Sequence, residues 1–154
     1  MHRLSVAALG ILAAGCIART VLRAPEPVNL HVSDAPRAVI QRAAVALTSA
    51  GFRVAQTDSV GSVLGASRRS RANGNEPFVT CNMPRNSGAA ANRETTITID
   101  FSARPASGGT DVTIRSNVRT AYPGFDGTPM QMATSDSDCV STGLMERRLA
   151  ESIR

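Results

Sequence analysis

Val28, Leu30 and Val32 alternate with Asn29 and His31, and that period of two predicts a short strand with one wet face. The period then changes. Ile40, Ala43, Ala44 and Leu47 fall at i, i+3, i+4 and i+7, which places them on one face of an α-helix. Arg37, Gln41, Arg42, Thr48 and Ser49 take the other face. Ser33 or Asp34 is the expected cap, and Pro36 suits a first turn because its missing N–H has no partner to lose there. Gly51 stands where a helix turns left-handed at its end, with Phe52 placed to fold back on the last turn.

Phe52 and Val54 alternate with Arg53 and Ala55, so the chain leaves the helix as a strand. Thr57-Asp58-Ser59 is turn chemistry, and residues 60–67 form the returning arm, weakened by two glycines. Residues 68–75 (RRSRANGN) are expected to be a polar loop and 77–82 (PFVTCN) a short strand. Residues 83–93 are small and polar.

Two longer alternations follow. Ile97, Ile99 and Phe101 share one face of a strand over 95–101. Val112, Ile114 and Val118 share one face over 110–120, with Thr113, Arg115, Asn117 and Arg119 opposite. The segment 105–109 (PASGG) is a hairpin connection. One buried and one wet face imply antiparallel pairing. Residues 121–135 read as an irregular crossing, and a last helix from about Ser137 carries Val140, Leu144, Met145 and Leu149. Arg147 and Arg148 near its end suit the helix dipole.

The order β-α-β-β-β-β-β-α predicts an α+β domain. An antiparallel sheet of five or six strands would carry two helices on one face.

The first residues change the picture from fold to address. His2 and Arg3 are basic, residues 4–12 (LSVAALGIL) are apolar, and Ala13, Ala14 and Gly15 are small and precede Cys16. The apolar run is too short to span a bilayer, which takes about 20 residues. This Leu-Ala-Ala-Gly-Cys boundary resembles the lipobox of bacterial lipoproteins, with Leu12 four residues before the cysteine and Ala13 three before. The resemblance implies a signal peptide at 1–15, a diacylglycerol on Cys16, and a lipidated tether at 16–27 that Pro25 and Pro27 keep extended. Residues 28–154 then form a single domain. It implies a cell-envelope protein held by lipid to a membrane. The outer membrane, facing the periplasm, is the expected side, because Ile17 and not Asp follows the cysteine. Plain secretion and a cytosolic apolar N-terminus are the alternatives.

A second resemblance is carried by Ala50-Gly51-Phe52-Arg53-Val54, Asp58, and residues 61–66. This stretch is similar to the helix, G-F/Y-x-V, turn, G-x-h-x-A pattern of small envelope lipoproteins. Among these is the helix-grip domain of the C lipoprotein in the outer-membrane barrel-assembly machinery. It implies a binding or scaffold module and supplies no catalytic residues.

Cysteine count fits export. Three cysteines are odd, and lipidation of Cys16 leaves Cys81 and Cys139 to pair, as two cysteines in one exported domain usually do. All seventeen basic residues are arginine, and the formal net charge is +5. The arginines are scattered and aromatics are scarce, so no nucleic-acid face is expected.

Candidate chemistry is thin. His31 is the one histidine beyond the signal segment, too few for a metal site, and no G-x-S-x-G elbow accompanies it. No catalytic residue, metal or cofactor is assigned. Arg68, Arg69 and Arg71 form the one basic cluster, able to meet lipid phosphates or an acidic partner, or simply to face water. Tyr122, Phe125, Met130 and Met132 make the crossing apolar enough to cover the sheet end or to form a partner groove. The leading expectation is a non-enzymatic binding or assembly module with an envelope protein as partner. The alternative is a small periplasmic hydrolase acting on cell-wall or lipid substrates.

Overall fold

The computed structural model describes residues 22–57, 63–71, 76–82, 94–123, 129–130 and 139–154. Residues 1–15, Cys16 and Phe125 lie outside them. The element order is β1 (Val28–Val32), α1 (Pro36–Ser49), β2 (Arg53–Thr57), β3 (Val63–Arg71), β4 (Val79–Cys81), β5 (Glu94–Ala106), β6 (Gly109–Pro123), β7 (Pro129–Met130), β8 (Cys139–Ser141) and α2 (Leu144–Ile153).

The α+β class and the antiparallel sheet stand as expected. Five strands pair in the order β1-β6-β5-β3-β2, all antiparallel, and the two-residue β7 joins the far end of β6. The long β5–β6 hairpin is the spine of the sheet, turning at Ser107-Gly108 and registered from Glu94↔Ala121 to Ala106↔Gly109. Gly109 closes the fit of β1. A Cβ there would lie 2.1 Å from the Val32 carbonyl oxygen, so no larger residue fits without moving backbone.

One face of the sheet carries the core. Ile97, Ile99 and Phe101 of β5, Val112 and Ile114 of β6, and Leu64 and Ala66 of β3 are buried with Val39, Ala43 and Leu47 of α1 and Met145, Leu149 and Ile153 of α2. Helix α1 ends as anticipated. The Phe52 N–H donates to Leu47 O at 2.9 Å and the Gly51 N–H to Thr48 O at 2.9 Å, with Gly51 at φ 80°. This is the paired bond pattern that satisfies a helix's last carbonyls.

Four local expectations are corrected. Residue Ala35 is the N-cap of α1, and no side chain caps it. Asp34 instead pairs with Arg42, and its carbonyl accepts from Thr110 Oγ1 at 2.6 Å. The run 68–71 continues strand β3 rather than opening a loop. Strand β4 leaves the main sheet and pairs with β8 alone. The last helix starts at Leu144, not near Ser137, because Cys139–Ser141 extend as β8 and Gly143 breaks the chain before the helix.

Cys81 and Cys139 are disulfide-bonded, directly opposite in the β4–β8 pair with Cα atoms 4.0 Å apart. The bond therefore ties the two strands of a ribbon. From the ribbon, Thr142 reaches back: its N–H donates to Phe78 O at 3.0 Å and its Oγ1 to Pro77 O at 2.9 Å. No helix among the described residues is long and apolar enough to cross a membrane.

Candidate functional site

Both helices cover the same face of the sheet, and no helix or strand among the described residues covers the opposite face. Strand pairing arranges its side chains in rows across the strands. Arg53, Ser67, Thr98 and Asn117 form one row, and Arg69, Thr96 and Arg119 the next. Beyond them come Gly65, Asp100 and Arg115, then Val63, Ser102, Thr113 and Asn29, then Arg104, Asp111 and His31. Alternation within each strand makes this face polar, since the odd positions of β5 and the even positions of β6 are spent on the core.

The two ends of this face differ in chemistry. At the hairpin end charges are mixed. His31 Nδ1 and Asp111 Oδ1 are 2.8 Å apart, both exposed, and Thr113 Oγ1 donates to Asn29 Oδ1 at 2.8 Å. An open hollow of about 620 Å³ lies here, lined by Val63, Asp100, Ser102, Arg104, Thr113 and Arg115 among others. Neither Arg104 nor Arg115 has an ion-pair partner among the described residues. At the other end Arg53, Arg69 and Arg119 surround the hydroxyls of Ser67, Thr96 and Thr98. Among the described residues the one acid at that end is Glu94, 3.8 Å from Arg69.

The expected arginine cluster is split by strand geometry. Arg68 points to the inner face, in step with Leu64 and Ala66. Its Nη1 donates to Ala50 O at 2.8 Å, its Nη2 lies 3.4 Å from Glu76, and its guanidinium stacks 5.3 Å from the Phe78 ring. Arg148 lies over the same ring at 5.7 Å. Arg68 thus closes the carbonyl end of α1 and is engaged within the fold. Arg69 is on the outer face with a side chain 78% exposed, and Arg71 is the last residue of β3.

The crossing is described only in part. Tyr122 and Met130 oppose each other where β6 pairs with β7.

A buried carboxylate escaped the sequence reading. Glu146, 2% exposed in the first turn of α2, accepts from the hydroxyls of Ser116 and Ser141, the latter at 2.9 Å. Ser141 Oγ also accepts from the Gly143 N–H at 3.0 Å. The cluster locks the start of α2 onto β6 and β8. Its one sequence signal is an acid in a helix's first turn.

His31 carries no hydroxyl on its ring among the described hydrogen bonds, and no group of three or more His, Cys, Asp or Glu side chains among the described residues could hold a metal. Comparison with known proteins finds no family that matches the chain and no curated protein that matches it.

Proposed function

We propose that the chain is a lipid-anchored cell-envelope protein, a non-enzymatic binding or assembly module held to a membrane through Cys16 and working in the periplasm. The observation that carries the reading is the one-sided sheet. Two helices seal one face, and the other presents a broad polar surface on which the described residues gather no nucleophile, base and acid together. The anchor reading is supported by the Leu-Ala-Ala-Gly-Cys boundary and by the Cys81–Cys139 bond, which suits an oxidising compartment. The outer membrane is the membrane proposed, and an envelope protein the partner.

The test is fractionation of cells making the parent and Cys16→Ser, with intact-mass analysis of the membrane-extracted chain. A diacylglycerol mass on Cys16 and release of the variant from membranes are expected. An unmodified Cys16 in membrane-extracted protein would overturn the anchor.

The His31–Asp111 pair favours a second reading, a small hydrolase acting on cell-wall or lipid substrates, since a carboxylate that orients an imidazole is part of hydrolytic triads. Hydrolysis of such a substrate by the parent and its loss in His31→Ala would establish it.

A further inference from the structure

We propose that the basic end of the bare sheet face docks on the phosphate groups of an anionic phospholipid membrane. The proposal deepens the anchored-module reading and takes its membrane from it, although the charge argument stands without the anchor.

Arg53, Arg69 and Arg119 project from β2, β3 and β6 on the same side of the sheet, and all three are exposed. Arg69 and Arg119 sit in one row with only Thr96 between them, two strand spacings or about 10 Å apart. Ser67 and Thr98 extend this floor of hydroxyls towards Arg53. Among the described residues, only Arg69 of the three has an acidic partner within 4 Å. Guanidinium groups form paired hydrogen bonds to phosphate, and hydroxyls between them add single ones.

The shape selects a flat anionic surface. The arginines stand on β2, β3 and β6 of an open sheet, with β5 between β3 and β6, and none of them lines the hollow at the hairpin end. Among the described residues, no exposed large apolar side chain lies among them. Val63, half exposed, is at the opposite end. A surface of this kind adsorbs to headgroups without inserting into the acyl layer.

The tether brings the surface within reach. Residues 16–27 lead into β1, an edge strand of the same sheet, and such a length spans at most about 40 Å. A domain confined so close to a membrane meets its headgroups at high effective concentration, so a weak interaction suffices. One lipid signal plus one basic patch is an established physical combination for stable anchoring.

The experiment uses the full chain carrying Cys16→Ser, mixed with vesicles of phosphatidylcholine alone and of phosphatidylcholine with an equal share of phosphatidylglycerol. Binding to the mixed vesicles at low salt, its loss at high salt, and no comparable binding to neutral vesicles are expected. Each of Arg53→Ala, Arg69→Ala and Arg119→Ala should weaken binding about fivefold. Arg→Gln versions serve if an alanine variant melts early. Equal binding to both vesicle types, or full binding by the triple variant, overturns the proposal. A soluble polyanion, dextran sulfate, that binds the chain more tightly than the vesicles also overturns it and assigns the face to an anionic polymer. Should Cys16 prove unmodified while the non-acylated chain still binds as described, the anchor falls and the docking face stands.

Discussion

The Arg68 guanidinium donates to the Ala50 carbonyl at 2.8 Å and so closes the end of α1 from a strand 18 residues further along. The same side chain neutralises Glu76 and covers Phe78, whose ring lies 6.0 Å from that of Phe52. Arg68→Ala should therefore destabilise the domain by about 1–3 kcal/mol, since it strips a helix carbonyl of its partner and leaves Glu76 uncompensated. Arg69→Ala, two-thirds or more exposed, should cost well under about 1 kcal/mol. Urea midpoints of the two variants check the contrast, and equal losses would refute the inward role of Arg68.

The disulfide spans a separation of 58 residues and encloses the β5–β6 hairpin. On the chain-entropy account, closing such a loop stabilises by about 4 kcal/mol, less any strain. Paired Cys81→Ser and Cys139→Ser changes should lower the urea midpoint accordingly. Thiol titration of the unreduced, denatured parent should find neither Cys81 nor Cys139 free.

Leu47 is fully buried in the cluster with Ile97, Ile99, Val112 and Ile114. Leu47→Ala should cost about 2–5 kcal/mol through lost burial and the remaining cavity. An unchanged melting temperature would refute the packing of α1 on that face.

Glu146 tests the polar lock at the start of α2. Glu146→Ala leaves the half-buried Ser116 and the buried Ser141 hydroxyls without their shared acceptor, a loss of about 1–3 kcal/mol. Glu146→Gln keeps an acceptor oxygen in place and should lose less. Hydrogen exchange at the first turn of α2 should rise in the alanine variant before the rest of the domain responds.

Much of the fold was legible because the longest strands alternate strictly. Ile97, Ile99, Phe101, Val112 and Ile114 announced β5, β6 and the buried face. Gly51 and Phe52 announced the end of α1, and cysteine parity announced the disulfide. The failures share a cause, which is that local chemistry was overruled by contacts distant in sequence. Arg68 through Arg71 look like a solvated loop, yet pairing with Glu94 to Ile97 of β5 makes them strand and sends Arg68 inward. Val140 fits the helical period of Leu144, yet the bond from Cys139 to Cys81 holds that segment extended against β4. The wet residues of β6 were readable one strand at a time. Which of them meet Arg53 and Arg69 depends on the order β1-β6-β5-β3-β2, and no single strand contains that information.

Gly65 offers a clean probe of the bare face. It lies in β3 between Leu64 and Ala66, with Asp100 opposite, and a Cβ built on it meets no heavy atom within 4 Å. Its backbone is not left-handed, so a side chain there costs no strain, and a glycine in a strand interior is itself weakening. Gly65→Glu and Gly65→Arg should both fold, with stability within about 0.5 kcal/mol of the parent, as is usual for surface changes. They add opposite charges beside the row of Arg53, Ser67, Thr98 and Asn117, two rows from Arg69 and Arg119. Their effects on binding to phosphatidylglycerol vesicles should therefore have opposite signs, weaker for Glu and stronger for Arg. Identical binding by the two, at unchanged stability, would mean that the sheet face does not meet the membrane.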